Sequence, residues 1–303
     1  MREIFRSVAV YLQQAEKRVL ALSVFFTAVL VFVNYYHGLN HRINDGNEFR
    51  QWLGWYMVFL GAFTFPYFLQ VVFSGVTFFR HRRFLLLLIL APAVFAWKMS
   101  YDFSFRFSSD QLLDAYWNAV VYWPLKFVAV TLMLVVIWKV VEPQEPFYGV
   151  NRKHFSARPY LLMLVLMIPL VAAASTQKDF LAVYPRLGNI AYLQDTPGTG
   201  WYQFLFELSY GIDFFTIELF FRGFVVLAFA RIAGTGAILP MACFYCTIHF
   251  GKPLGECISS FFGGMLLGVV VYHTKNIFGG LMVHLGIAWL MELGGYLGNL
   301  ARA

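Results

Sequence analysis

The stretch Ile217-Glu218-Leu219-Phe220-Phe221-Arg222-Gly223-Phe224 sets a carboxylate and a guanidinium four residues apart in an otherwise aromatic and aliphatic run. Residues at that spacing share one face of a helix. In hydrocarbon a lone charge is expensive, so charges placed there are paired or functional. The surrounding sequence decides whether this stretch lies in a membrane.

Of the 303 residues, 60% are hydrophobic, 19% aromatic and only 13% charged. A soluble domain carries roughly 25% charged residues and about 45–50% apolar ones. Apolar runs cover residues 19–36, 53–79, 84–98, 116–141, 159–175, 203–230, 236–250, 258–272 and 277–298, and a membrane helix needs about 20 such residues. The runs lack the period-two alternation of barrel strands, which leaves helices as the way to satisfy the backbone in lipid. The expectation is an all-α polytopic protein of about eight or nine spans, forming one integral membrane domain over 1–303. Helices over 19–141 are accessory to a core over 159–298 that surrounds a polar cavity.

The net charge of +7 is read as a topology signal and an attraction to anionic lipid. Basic clusters at Lys17-Arg18, Arg80-His81-Arg82-Arg83 and Arg152-Lys153 with Arg158 alternate with acidic loops holding Asp45, Glu48, Asp102 and Asp110. This pattern places the N-terminus and the Arg80–Arg83 loop in the cytoplasm, and a bacterial inner membrane is the expected site. No soluble basic face suggests nucleic acid. Residues 1–18 are too polar to span. Ile4, Phe5, Val8, Tyr11, Leu12 and Ala15 recur at near-helical spacing, as in a helix lying in the interface. No small-residue cleavage site follows the first span, so that span is expected to stay uncleaved.

Two polar connections stand out. VEPQEPFYGVNRKHFSA, residues 142–158, separates the first helices from the rest. The longer 176–200 is either a lid or a surface connection. The three cysteines do not form a disulfide framework. Cys243, Cys246 and Cys257 are read as small packing residues. A metal site of Cys243, Cys246 and His249 fits poorly, because Cys243 and His249 stand about 120° apart on a helix. The pairs Gly264/Gly268 and Gly294/Gly298 suit close helix crossings.

The C-terminal half holds nearly all the intramembrane polar groups; Lys126 is the main exception in the first half. Three successive segments contribute Glu218 with Arg222, then His249 with Tyr245 one turn before it, then His284, whose face continues through Ala288 to Glu292. Two imidazoles and a carboxylate offer two routes to hydrolysis. In one, Glu218, His249 and His284 hold a metal such as zinc. In the other, no metal is required: a carboxylate activates water and the histidines hold the oxyanion. Spacing does not choose between them.

The order ELFFRG, then Tyr245 with His249, then Gly279-Gly280 with His284 resembles the CAAX protease and bacteriocin-processing family over roughly residues 160–297. The resemblance implies a multi-helix intramembrane endopeptidase built on the motifs EExxxR, FxxxH and HxxxN. It matches Arg222 to the arginine, Glu218 to the second glutamate, Tyr245 and His249 to the second motif, and His284 to the third. Ile217 stands where the family has its first glutamate, and Ala288 where asparagine is common. The implied function is hydrolysis of a membrane-associated peptide or protein. Glu218, or Asp213 one turn earlier, would polarise water, with Glu292 a third candidate carboxylate. His249 and His284 would hold the water or the oxyanion, and Arg222 would fix the carboxylate. The alternatives are a catalytically inactive relative that binds or scaffolds a membrane partner, and a transporter component.

Overall fold

A computed structural model describes residues 2–151 and 155–302; Arg152 and Lys153 of the third basic cluster lie outside the described residues. In chain order the helices are α1 (Arg2–Gln14), α2 (Lys17–His37), α3 (Leu39–Asn44), α4 (Glu48–Ser74), α5 (Arg82–Ser100), α6 (Gln111–Val141), α7 (Arg158–Ala174), α8 (Lys178–Leu181), α9 (Thr199–Ile217), α10 (Phe229–Ala233), α11 (Ile238–Thr247), α12 (Leu254–Thr274) and α13 (Phe278–Leu300). A wider helical segment, Glu218–Ala228, joins α9 to α10, and short tight turns occupy Phe78–Arg80, Arg186–Leu193 and Gly234–Ala237. The described residues contain no strand, so the fold is all-α.

Local chemistry explains the ends. The Glu16 carboxylate accepts from the Val19 N–H at 2.8 Å and starts α2, while Asn47 accepts from Arg50 N at 3.0 Å and starts α4. Gly38 at φ 64° and Gly75 at φ 66° end these two helices in the left-handed conformation that glycine adopts at least cost.

Among the described residues seven helical runs are long and apolar enough to cross a membrane, and eight if α7 and the segment Lys178–Leu193, bent by 98°, count as one span. The protein is an integral membrane protein. The runs 203–230 and 236–250 belong to one stretch of 49 residues, Thr199–Thr247. At 1.5 Å per residue this is about 70 Å long, over twice the ~30 Å hydrocarbon layer. The helix breaks at Gly234, φ 56° and ψ −135°. Beyond the break α11 has only 10 residues, about 15 Å, and every one of them is buried. It is therefore a core helix of half-membrane length, not a lipid-facing span.

The chain folds into two compact units. The first comprises Met1–Tyr101, Met133–Phe155 and Leu219–Gly280. Its centre is aromatic: the Phe244 ring lies 5.0 Å from Phe59, 5.6 Å from Phe63 and 5.1 Å from Phe221. Helices α11 and α12 approach closely through glycine. A Cβ on Gly268 would stand 2.6 Å from Met241, and one on Gly264 would stand 2.8 Å from the Tyr245 ring. Helix α1 docks here, with Tyr11, Val8 and Leu12 against Ile238, Val269 and Met265 and Phe5 exposed.

The second unit comprises Asp102–Leu132, Ser156–Glu218 and Leu281–Ala303. A Cβ on Gly294 would lie 3.2 Å from Val171, and one on Gly298 would lie 2.5 Å from the Ser175 carbonyl, so this glycine pair also serves a tight crossing. The connection 176–200 is not a bare surface loop. Phe180 and Tyr184 are buried with Val171 against Leu290 and Met291. Ile190 and Leu193 are buried with Tyr116 and Phe206.

Candidate functional site

The motif helix changes its winding at the motif. From Glu218 to Ala228 the backbone bonds in the i→i+5 pattern of a π-helix. Such segments are rare, usually one turn long, and concentrate at functional sites. The α-helical winding that ends at Ile217 gives way to this wider winding at Glu218. Ile217 is 7% exposed and Glu218 is fully buried.

Gly223 follows from a backbone approach. The Tyr148 carbonyl oxygen lies 2.5 Å from where a Cβ on Gly223 would sit. The segment around Tyr148 is tied down further by Ile277 N donating to the Gly149 carbonyl at 3.2 Å and by Asn151 Nδ2 donating to the Lys275 carbonyl at 2.8 Å. The first half of the polar connection 142–158 is thus a strap against the motif helix, not a linker.

In the second unit, Glu218 and His284 meet. Glu218 Oε1 lies 3.1 Å from His284 Nδ1. The Glu218 side chain is fully buried and that of His284 is 17% exposed. The Phe214 ring packs edge-on against the imidazole at 4.8 Å. An ionised carboxylate only accepts, so Nδ1 carries the proton, and in the neutral ring Nε2 is then the acceptor. Desolvating the carboxylate is tolerable because the bond is present. The pair can take up a proton at Nε2 while the carboxylate stabilises the imidazolium.

In the first unit, Arg222, Tyr245 and His249 form a stack. Arg222 is fully buried, and its Cζ lies 4.0 Å over the Tyr245 ring. The His249 ring is 4.7 Å from that ring, and His249 Nδ1 is 2.9 Å from the Tyr245 carbonyl. A carbonyl only accepts, so this imidazole also carries its proton on Nδ1. Gly264 leaves the space that the Tyr245 ring occupies.

Two other candidate carboxylates also lie in the second unit. Glu292 Oε1 accepts from Arg186 N at 2.9 Å and Oε2 from Leu187 N at 3.4 Å, which caps the Arg186–Leu193 turn, with Glu207 beside it. Asp102 and Asp213 are both close enough to Tyr122 to act on it electrostatically. Lys126, fully buried, reaches Asp102 at 3.3 Å, and its ammonium lies 5.1 Å from the Tyr122 ring. Sequence reasoning placed Lys126 outside the polar constellation and missed this cluster. The signal was a lysine one turn after a tyrosine, paired with an acidic loop at the preceding helix end. Ala288 is 4% exposed, one turn beyond His284. Among the described residues, no three His, Cys, Asp or Glu side chains stand together as ligands for a metal ion.

Residues 200–290 match the family described as Type II CAAX prenyl endopeptidase Rce1-like. The matched segment contains Asp213, Glu218, Arg222, Tyr245, His249 and His284 and stops before Glu292. Comparison with curated proteins and with solved structures finds no match. The match covers residues 200–290, which hold both the Glu218–His284 pair and the Arg222–Tyr245–His249 stack, and over that segment it supports the similarity to the CAAX protease and bacteriocin-processing family.

Proposed function

We propose that this protein is an intramembrane endopeptidase that hydrolyses a membrane-associated peptide or protein. The observation that carries the reading is the buried hydrogen bond between Glu218 and His284. In this reading water attacks the scissile carbonyl while the Glu218–His284 pair takes its proton. A C–O bond forms, the C–N bond breaks, and the proton passes to the departing amine. Glu218 thereby takes over the role that Ile217 cannot fill, helped by the change of winding that starts at Glu218. The same reading assigns Arg222 and His249 to the reaction, and it needs no metal. Glu292 is held by two backbone N–H groups of the Arg186–Leu193 turn, which supports Glu218 over it as the working carboxylate.

The Arg80–Arg83 cluster supports a cytoplasmic N-terminus in a bacterial inner membrane. The family description suggests the first substrate to try, a peptide ending in a prenylated cysteine and three further residues. The test uses protein in proteoliposomes and an internally quenched peptide of that kind, with products identified by mass spectrometry. Wild type is expected to cut it, and His249→Ala at least ~10²-fold more slowly, as for loss of a proton-transfer or oxyanion group. Equal cleavage by the two proteins would overturn the peptidase reading.

A further inference from the structure

Cys246 on α11 and Cys257 on α12 lie with their sulfurs 4.0 Å apart, both buried in the first unit. Cys246 Sγ donates to the Cys257 carbonyl at 3.3 Å, and Cys257 Sγ to the Cys246 carbonyl at 3.7 Å. The thiols therefore face each other. The sulfurs that meet are those of Cys246 and Cys257, and all three cysteines are free thiols. A disulfide needs the sulfurs at about 2.05 Å, so the two must close by about 2 Å. Together they bracket residues 247–256, the connection that carries His249.

A second observation gives the pair an entrance. Cys246 lines an apolar cavity of about 520 Å³ between α2 and α12, whose walls include Val24, Val31, Phe32, Ile258 and Phe261. Helices α2 and α12 are both long and apolar enough to span the membrane. A small apolar reagent dissolved in hydrocarbon thus has a route to one sulfur of the pair.

We propose that Cys246 and Cys257 are a modification site, converted to a disulfide by exchange with a small apolar disulfide that enters through this cavity. The Cys246 sulfur attacks one sulfur of the reagent and loses its proton as that S–S bond breaks, and the proton leaves on the first released thiol. The Cys257 thiolate then attacks the Cys246 sulfur and displaces the second. The protein thiols lose two electrons, the reagent gains them, and the two protons end on the two released thiols. The cross-link closes the 247–256 connection into a ring and fixes both of its ends. This proposal does not depend on the protein being a peptidase.

The probe is 4,4′-dithiodipyridine, added to the full-length protein in nanodiscs. Released thiopyridone is measured optically, and the peptides are mapped by mass spectrometry without reduction. Wild type is expected to release two thiopyridones from this pair, yielding a Cys246–Cys257 cross-linked peptide without a pyridyl adduct and leaving Cys243 as a thiol. Cys257→Ser is expected to release one and to keep the adduct on Cys246. Adducts on Cys246 and Cys257 without a cross-link, or no reaction of Cys246 in the native wild type, would overturn the proposal.

Discussion

The Tyr148 carbonyl oxygen occupies the space where a side chain on Gly223 would begin, 2.5 Å from that Cβ position. The contact seats a loop backbone on the motif helix one residue after Arg222. Both partners are held: Tyr148 is fully buried, and its ring lies 5.2 Å from Phe224.

Gly223→Ala is therefore expected to lower stability by about 1–3 kcal/mol, the range for forcing extra atoms into a packed site. Gly255→Ala is the control, because nothing lies within 4 Å of a Cβ there. Thermal unfolding in detergent should show a lower midpoint for the first variant and none for the second.

Arg222 Cζ lies 4.0 Å over the Tyr245 ring, a distance at which a planar guanidinium can stack and a compact ammonium cannot. Arg222→Lys is expected to lose about 1–2 kcal/mol of stability, in line with a desolvated cation–π contact. Tyr245→Leu should show a similar loss. The double variant should lose less than the sum, because both changes break one contact. Denaturant titration measures all three.

Glu292 holds two backbone N–H groups of the Arg186–Leu193 turn. Glu292→Gln removes a charged acceptor, and bonds of that type contribute about 1.5–3 kcal/mol. Hydrogen exchange at Arg186 and Leu187 should quicken by at least tenfold, while hydrolysis stays within threefold of wild type. A collapse of hydrolysis with unchanged exchange would make Glu292 the working carboxylate instead.

The membrane helices were legible because their signals are local. Run length and the close-packing pairs Gly264/Gly268 and Gly294/Gly298 act within a few residues, whereas the run 53–79 was read through Gly75, where α4 ends. The fate of α11 was not legible. Its composition matches that of a lipid-facing span, and only tertiary packing shows that it is buried on all sides. The wide winding from Glu218 to Ala228 was equally hidden, since no residue type marks i→i+5 bonding. The strap at Tyr148 reads as a polar linker until its contact with Gly223 is seen. Of the candidate site, the spacing showed Tyr245 beside His249 on one face. The grouping of Glu218 with His284, 66 positions apart, was read from the rarity of ionisable groups inside apolar runs, but which atoms meet was not legible, because long-range pairing leaves no period in a sequence.

The most direct test is the hydrolysis rate of Glu218→Gln, His284→Ala and the double variant, in proteoliposomes with the prenylated quenched peptide. If the two side chains act as one proton-transfer unit, each single change lowers kcat at least ~10²-fold, and the double variant is no slower than the worse single one. Turnover within twofold of wild type for Glu218→Gln, or losses that simply multiply in the double variant, would contradict the assignment of the Glu218–His284 pair.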